Sequence, residues 1–80
     1  MSRITVLYFA SLRDAAGRAD EVLDTDAADL RALYEALRLR YGFALPTERL
    51  RVAMDGAFAR WDEAPREGSE VAFIPPVSGG

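Results

Sequence analysis

The alternation of apolar and polar positions marks out five short strands around one longer amphipathic segment. Arg3 to Phe9 is rich in β-branched and aromatic residues and predicts a first strand. Its Ile4, Val6 and Tyr8 fall on one face, and Thr5, Leu7 and Phe9 on the other. Ala10 to Arg18 reads as a connection, with Asp14-Ala15-Ala16-Gly17 as a turn or a single helical turn closed by glycine. Ala19 to Asp24 predicts a weaker second strand whose apolar content is Val22 and Leu23. The period then changes. From Asp26 to Tyr41, the residues Leu30, Leu33, Tyr34, Leu37 and Tyr41 recur at helical spacing and make one apolar stripe. Asp29 is the expected N-cap, with Asp26 as the alternative, and Gly42 is the expected C′ residue before Pro46. Glu35 and Arg38 are spaced to pair on the helix surface.

Beyond the helix, Leu50 to Met54 predicts a third strand, Asp55-Gly56 a two-residue hairpin turn, and Ala57 to Arg60 a fourth strand carrying Phe58. Trp61 to Ser69 is a loop with Pro65 and a turn at Glu67-Gly68. Glu70 to Ile74 predicts the last strand, with Val71 and Phe73 on one face and Ala72 and Ile74 on the other.

One main helix and about five strands imply an α+β domain in which the helix covers one face of a small mixed sheet. The first and last strands are among the most apolar, so they are expected to form a central, parallel pair. That is the β-grasp, or ubiquitin-like, arrangement. Its second sheet face lacks a helix. Leu7, Phe9 and Ile74 project there by alternation, with Phe58 as a neighbour, and either a partner or the Trp61–Ser69 loop is expected to cover them. The expected division is a domain over residues 1–74 and an extended tail over 75–80.

Composition narrows the chemistry. The 80 residues carry a net charge of −3, which disfavours a nucleic-acid partner. No apolar run reaches membrane-spanning length and no targeting segment precedes the first strand, so a soluble cytoplasmic protein is the expectation. All basic residues are arginine, and histidine, cysteine and lysine are absent. The chain therefore lacks a triad base, a thiol nucleophile, a Schiff-base amine and a histidine–cysteine metal cluster. Asp24/Asp26 and Asp62/Glu63 sit in loop-like sequence and read as solvated charge.

What remains is the end of the chain, Pro75-Pro76-Val77-Ser78-Gly79-Gly80. Proline cannot donate to a sheet ladder, so Pro75 and Pro76 end the last strand. Extended, these six residues reach roughly 20 Å. Taken alone, they read either as an ordinary frayed terminus or as an arm presented to another molecule.

Two segments decide between these readings by resemblance. Tyr8-Phe9-Ala10 followed by Leu12-Arg13, and Gly68-Ser69-Glu70-Val71-Ala72-Phe73-Ile74 running into the Pro-Pro-Val-Ser-Gly-Gly tail, resemble the small subunit of molybdopterin synthase, the MoaD family. The likeness runs the full length. Ile74, where an aromatic is frequent, and Asp55, where asparagine is frequent, depart from the pattern. The resemblance implies a sulfur carrier. An ATP-dependent activating enzyme would adenylate the Gly80 carboxylate, and sulfur would then replace one oxygen to give a thiocarboxylate. Within the large subunit, in a heterotetrameric synthase, that sulfur would be delivered to cyclic pyranopterin monophosphate to build the dithiolene. Gly79 and Gly80 would thread a narrow channel, and Phe9, Phe58, Ile74, Pro75, Pro76, Val77 and Ser78 would contact the partners. The resemblance implies no bound cofactor and no metal. Arg13 matches the family's arginine after the first strand, where it would hold a loop or pair with a partner acid.

Three rivals stand beside this expectation. A sulfur carrier for thiamin thiazole synthesis shares the fold and the Gly-Gly end, but tends to be shorter and to lack Tyr-Phe-Ala and Pro-Pro-Val-Ser. A ubiquitin-like modifier or interaction domain would use the same body without sulfur chemistry. An acyl carrier needs a phosphopantetheine serine in an Asp-Ser-Leu context on a helical bundle, whereas Ser11 follows Ala10 and the chain is rich in strands.

Overall fold

The computed structural model describes residues 1–76. Five strands form one mixed sheet: β1 (Ser2–Tyr8), β2 (Asp20–Thr25), β3 (Arg51–Met54), β4 (Ala57–Phe58) and β5 (Glu70–Ile74), in the order β2-β1-β5-β3-β4. β1 and β5 are the parallel pair, in the register Val6 to Val71 and Tyr8 to Phe73, and the other three pairings are antiparallel. This is the expected β-grasp sheet. Among the described residues no helix is long and apolar enough to cross a membrane.

The main helix, α2 (Leu30–Tyr41), lies over one sheet face. Leu30, Leu33, Tyr34 and Leu37 are buried against Ile4, Val6, Tyr8, Val52, Val71 and Phe73. Helix formation starts at Leu30 rather than Asp26 because Asp29 is the cap: its backbone is extended and its Oδ1 accepts from the Ala32 N–H at 2.8 Å. The two preceding orphan donors are satisfied by a distant loop. The Leu30 and Arg31 N–H groups donate to the carbonyls of Glu63 and Trp61 at 2.9 and 3.0 Å. Gly42 closes the helix in the left-handed region at φ 73°, and Glu35 lies 3.7 Å from Arg38.

Two expectations, the connection after the first strand and the end of the fourth, are corrected. Ala10–Ala16 is a second helix, α1, rather than a turn. It buries one large side chain, Leu12, so it leaves no apolar stripe to read, and its formation rests on alanine propensity and the left-handed Gly17 at φ 75°. β4 ends at Phe58, short of Arg60. The Ala59 N–H still donates to the Val52 carbonyl at 2.9 Å, and beyond it the chain turns so that Trp61 stacks on Phe73, ring centroids 6.0 Å apart and 5° from parallel. In β2, Val22 is not a core residue. It is 64% exposed, and the position facing Val6 under the helix belongs to Glu21.

Glu21 is buried at the rim of the core, and its carboxylate is fully occupied. The Tyr8 hydroxyl donates to Oε2 at 2.9 Å, and the Tyr41 hydroxyl donates to the same oxygen. Arg18 and Arg40 approach Oε1 at 3.7 and 4.0 Å. Burial and the bond to Glu21 push the Tyr8 hydroxyl well above its ordinary pKa. The bond to Glu21 also raises the Tyr41 hydroxyl, and burial raises that of Tyr34.

Two outcomes follow from this network. Glu21→Ala strands two tyrosine hydroxyls and should lose about 2–4 kcal/mol in urea denaturation. The second concerns alkali. Unfolded tyrosines release their protons near pH ~10, while the folded chain holds them to higher pH. Folding stability from these groups is therefore full below pH ~10 and falls as pH rises past it. Urea midpoints taken from neutral to alkaline pH should show this decline, and Tyr8→Phe should make it shallower.

Candidate functional site

The sheet face opposite α2 is open. Adjacent-strand registers place Asp20, Leu7, Ala72, Ala53 and Phe58 in one row across it. The Trp61–Ser69 loop does not cover this row. Its Trp61 lies on the helix side, and its far end pairs with the start of β1, where the Gly68 N–H donates to the Arg3 carbonyl at 2.8 Å. Phe58 is accordingly 68% exposed.

At the end of the sheet where β5 stops, the chain makes two reversals side by side. After β1, Phe9 keeps an extended backbone while its carbonyl accepts from the Leu12 N–H at 3.0 Å, and Ala10 takes a left-handed φ of 50°. That conformation costs a non-glycine residue about 1–2 kcal/mol. After β5, Pro75 and Pro76 leave the ladder. Because β1 and β5 run parallel, Phe9 and Ile74 emerge at the same end.

Between them lies a shallow, mainly apolar concavity of about 660 Å³, lined by Phe9, Ala10, Ser11, Leu45, Arg49, Ile74, Pro75 and Pro76. Four residues expected from the sequence, Phe9, Ile74, Pro75 and Pro76, thus meet around one depression. Phe58 stands apart on β4 and does not line it. Val77, Ser78, Gly79 and Gly80 lie outside the described residues. Nothing in the sequence singles out Ala10, Ser11, Leu45 or Arg49. Leu45 and Arg49 arrive through the turn after α2 and the 3₁₀ turn Thr47–Arg49, where local pattern carries no information about what lies across the fold.

Arg51 links Phe58 to this depression. It pairs with Ile74 across β3 and β5, and its guanidinium lies 5.3 Å from the centre of the Phe58 ring. The site offers apolar contact, one exposed aromatic ring and arginine, immediately beside the point where residues 75 and 76 depart.

A helix on one face, a parallel central pair and an open second face define a ubiquitin-like β-grasp domain. The chain belongs to the ThiS family, whose sequence profile matches residues 6–80. It is 34% identical to the molybdopterin synthase sulfur carrier subunit of Haemophilus influenzae and 32% identical to that of Escherichia coli, in each case over 96% of this chain and 99% of the relative. The small archaeal modifier protein SAMP1 of Haloferax volcanii superimposes with a TM-score of 0.80 at 28% identity, covering 99% of this chain and 100% of that one.

Phe58 gives a direct check of the open face. With its ring two-thirds exposed and its contact to Arg51 worth about 0.5–1 kcal/mol, Phe58→Asp should shift the urea-unfolding free energy by no more than about 1 kcal/mol. A loss of several kcal/mol would place Phe58 in the core.

Proposed function

We propose that this protein is the sulfur carrier subunit of a molybdopterin synthase. The observation that carries the reading is identity above 30% over nearly the full length of relatives with that name. The geometry supports it, because β5 releases the tail beside an apolar depression at the sheet's C-terminal end.

The reactive group is the main-chain carboxylate of Gly80. A carboxylate is a poor electrophile because it has no leaving group. In the activating enzyme its oxygen attacks the α-phosphorus of ATP, pyrophosphate departs, and the mixed anhydride gains AMP as leaving group. A sulfur donor then displaces AMP and leaves a thiocarboxylate on Gly80. The chain has no cysteine, so covalent sulfur cannot reside on a side-chain thiol. Gly79 and Gly80 present no Cβ to a channel wall, which lets both enzymes close around the terminus. Pro75 and Pro76 restrict the root of the tail and reduce the entropy lost on insertion. In the large subunit the thiocarboxylate sulfur attacks cyclic pyranopterin monophosphate, water then hydrolyses the bond between that sulfur and the Gly80 acyl carbon to restore the carboxylate, and two carriers in succession supply the two dithiolene sulfurs. Phe9, Phe58 and Ile74 hold the carrier against each partner, and ATP is consumed only by the activating enzyme. The setting proposed is the cytoplasm.

One experiment tests the whole reading. The protein is incubated with a molybdenum-pathway activating enzyme, ATP and a sulfur donor, and its intact mass is measured. The expected outcome is a gain equal to exchange of one oxygen for sulfur, lost on deletion of Gly80. Adding the large subunit and cyclic pyranopterin monophosphate should return the original mass and yield molybdopterin. Phe58→Asp should fold normally yet bind the large subunit at least about tenfold more weakly.

The likeness to an archaeal modifier protein favours a second reading, in which the activated Gly80 is transferred to amines of other proteins. Unchanged carrier mass together with Gly80-dependent amide conjugates would support it. Sulfur transfer to a thiazole precursor instead of the pyranopterin would assign the carrier to thiamin synthesis.

A further inference from the structure

The ten arginines divide into two groups by position. Arg3, Arg18, Arg38, Arg40, Arg60 and Arg66 each lie within 4.0 Å of a carboxylate. Arg31 donates to the Thr47 hydroxyl at 2.7 Å and lies over Trp61. Among the described residues, Arg31 and the remaining three, Arg13, Arg49 and Arg51, have no carboxylate within 4.0 Å, and those three make no side-chain hydrogen bond either.

Arg49 and Arg51 belong to the end of the sheet where Pro75 and Pro76 leave. Arg49 lines the concavity. Arg51 lies opposite Ile74 and over Phe58. Arg13 is exposed on α1, the helix that begins at the lining Ala10. In a chain of net charge −3, Arg49 and Arg51, both without a carboxylate partner, thus stand beside one apolar depression. Stacking holds Arg51 partly ordered without neutralising it.

We propose that Arg49 and Arg51 form a cationic collar that selects a protein partner bearing carboxylates around an apolar contact, and that the collar accelerates docking. The inference rests on the carrier reading above and names the chemistry of the partner at the same site. Charge complementarity supports a protein over a nucleic acid, because the collar is small and the rest of the chain is acidic. Electrostatic attraction of this kind acts mainly on the association rate and is screened by salt.

The test is association of the full chain with the large synthase subunit, followed by stopped-flow fluorescence at about 50 mM and about 500 mM NaCl. The doubly reversed variant Arg49→Glu with Arg51→Glu should associate at least about tenfold more slowly at low salt, with most of the difference gone at high salt. Its dissociation rate should change less than its association rate. Arg49→Gln with Arg51→Gln should fall between the variant and the native chain. Urea denaturation verifies that each variant is folded, and the single variant Arg49→Glu, which leaves the Phe58 stack intact, supports the proposal if it slows association in the same salt-dependent way.

Equal association rates for native and reversed chains at low salt would overturn the collar while leaving the carrier reading in place. A native chain that neither binds the large subunit nor gains sulfur would overturn both. Retention by a single-stranded oligonucleotide that depends on Arg49 and Arg51, without a rate effect on the large subunit, would replace the protein partner with a nucleic acid.

Discussion

The parallel pairing of β1 with β5 is the constraint on which the rest of the molecule depends. It places both ends of the domain's sequence in the centre of the sheet, with Val6 and Tyr8 beside Val71 and Phe73 in the fully buried layer under α2. A parallel pair cannot be closed by a hairpin, so the intervening chain must cross over, and α2 is that crossover. The same pairing decides where the chain leaves the sheet. Two strands running in one direction finish together, so Phe9 and the root of the tail share one end of the sheet.

One-sided coverage follows from size. A single helix of twelve residues shields one face of five short strands and no more. The remaining long loop is used on the helix side, where Trp61 stacks on Phe73 and the Trp61 and Glu63 carbonyls complete the N-terminus of α2. The second face is left with Ala53 and Ala72 at its centre and Phe58 at its edge. Openness here is a consequence of where the loop is needed.

The edge strand is held differently from the centre. β2 contributes a carboxylate to the rim of the core, and two tyrosine hydroxyls and two arginines surround it. This network ties β2, β1 and the C-terminal turn of α2 together at the side of the sheet away from β3 and β4. The Tyr8 of the Tyr-Phe-Ala motif is thus committed to the fold, whereas the adjacent Phe9 faces outward. Adjacent residues on a strand point to opposite faces, so one short motif puts one side chain in the core and the next at the surface.

The sequence by itself determined the strand and helix periods, the Asp29 cap, the Asp55-Gly56 turn with both residues at positive φ, the faces of β1 and β5, and the absence of any thiol, imidazole or amine. These are local matters: side-chain alternation, backbone preference and the inventory of groups act over a few residues. Tertiary structure alone decided that Glu21 is buried, that Trp61 turns inward beyond a short β4, and that Ala10 to Ala16 completes two turns of helix. It alone brought Leu45 and Arg49 to the tail and left Arg51 between Phe58 and Ile74. A glutamate's burial depends on partners 13 and 20 residues away, and an arginine's lack of a carboxylate depends on everything around it. No pattern within a window of sequence encodes either, because both are properties of the assembled surface.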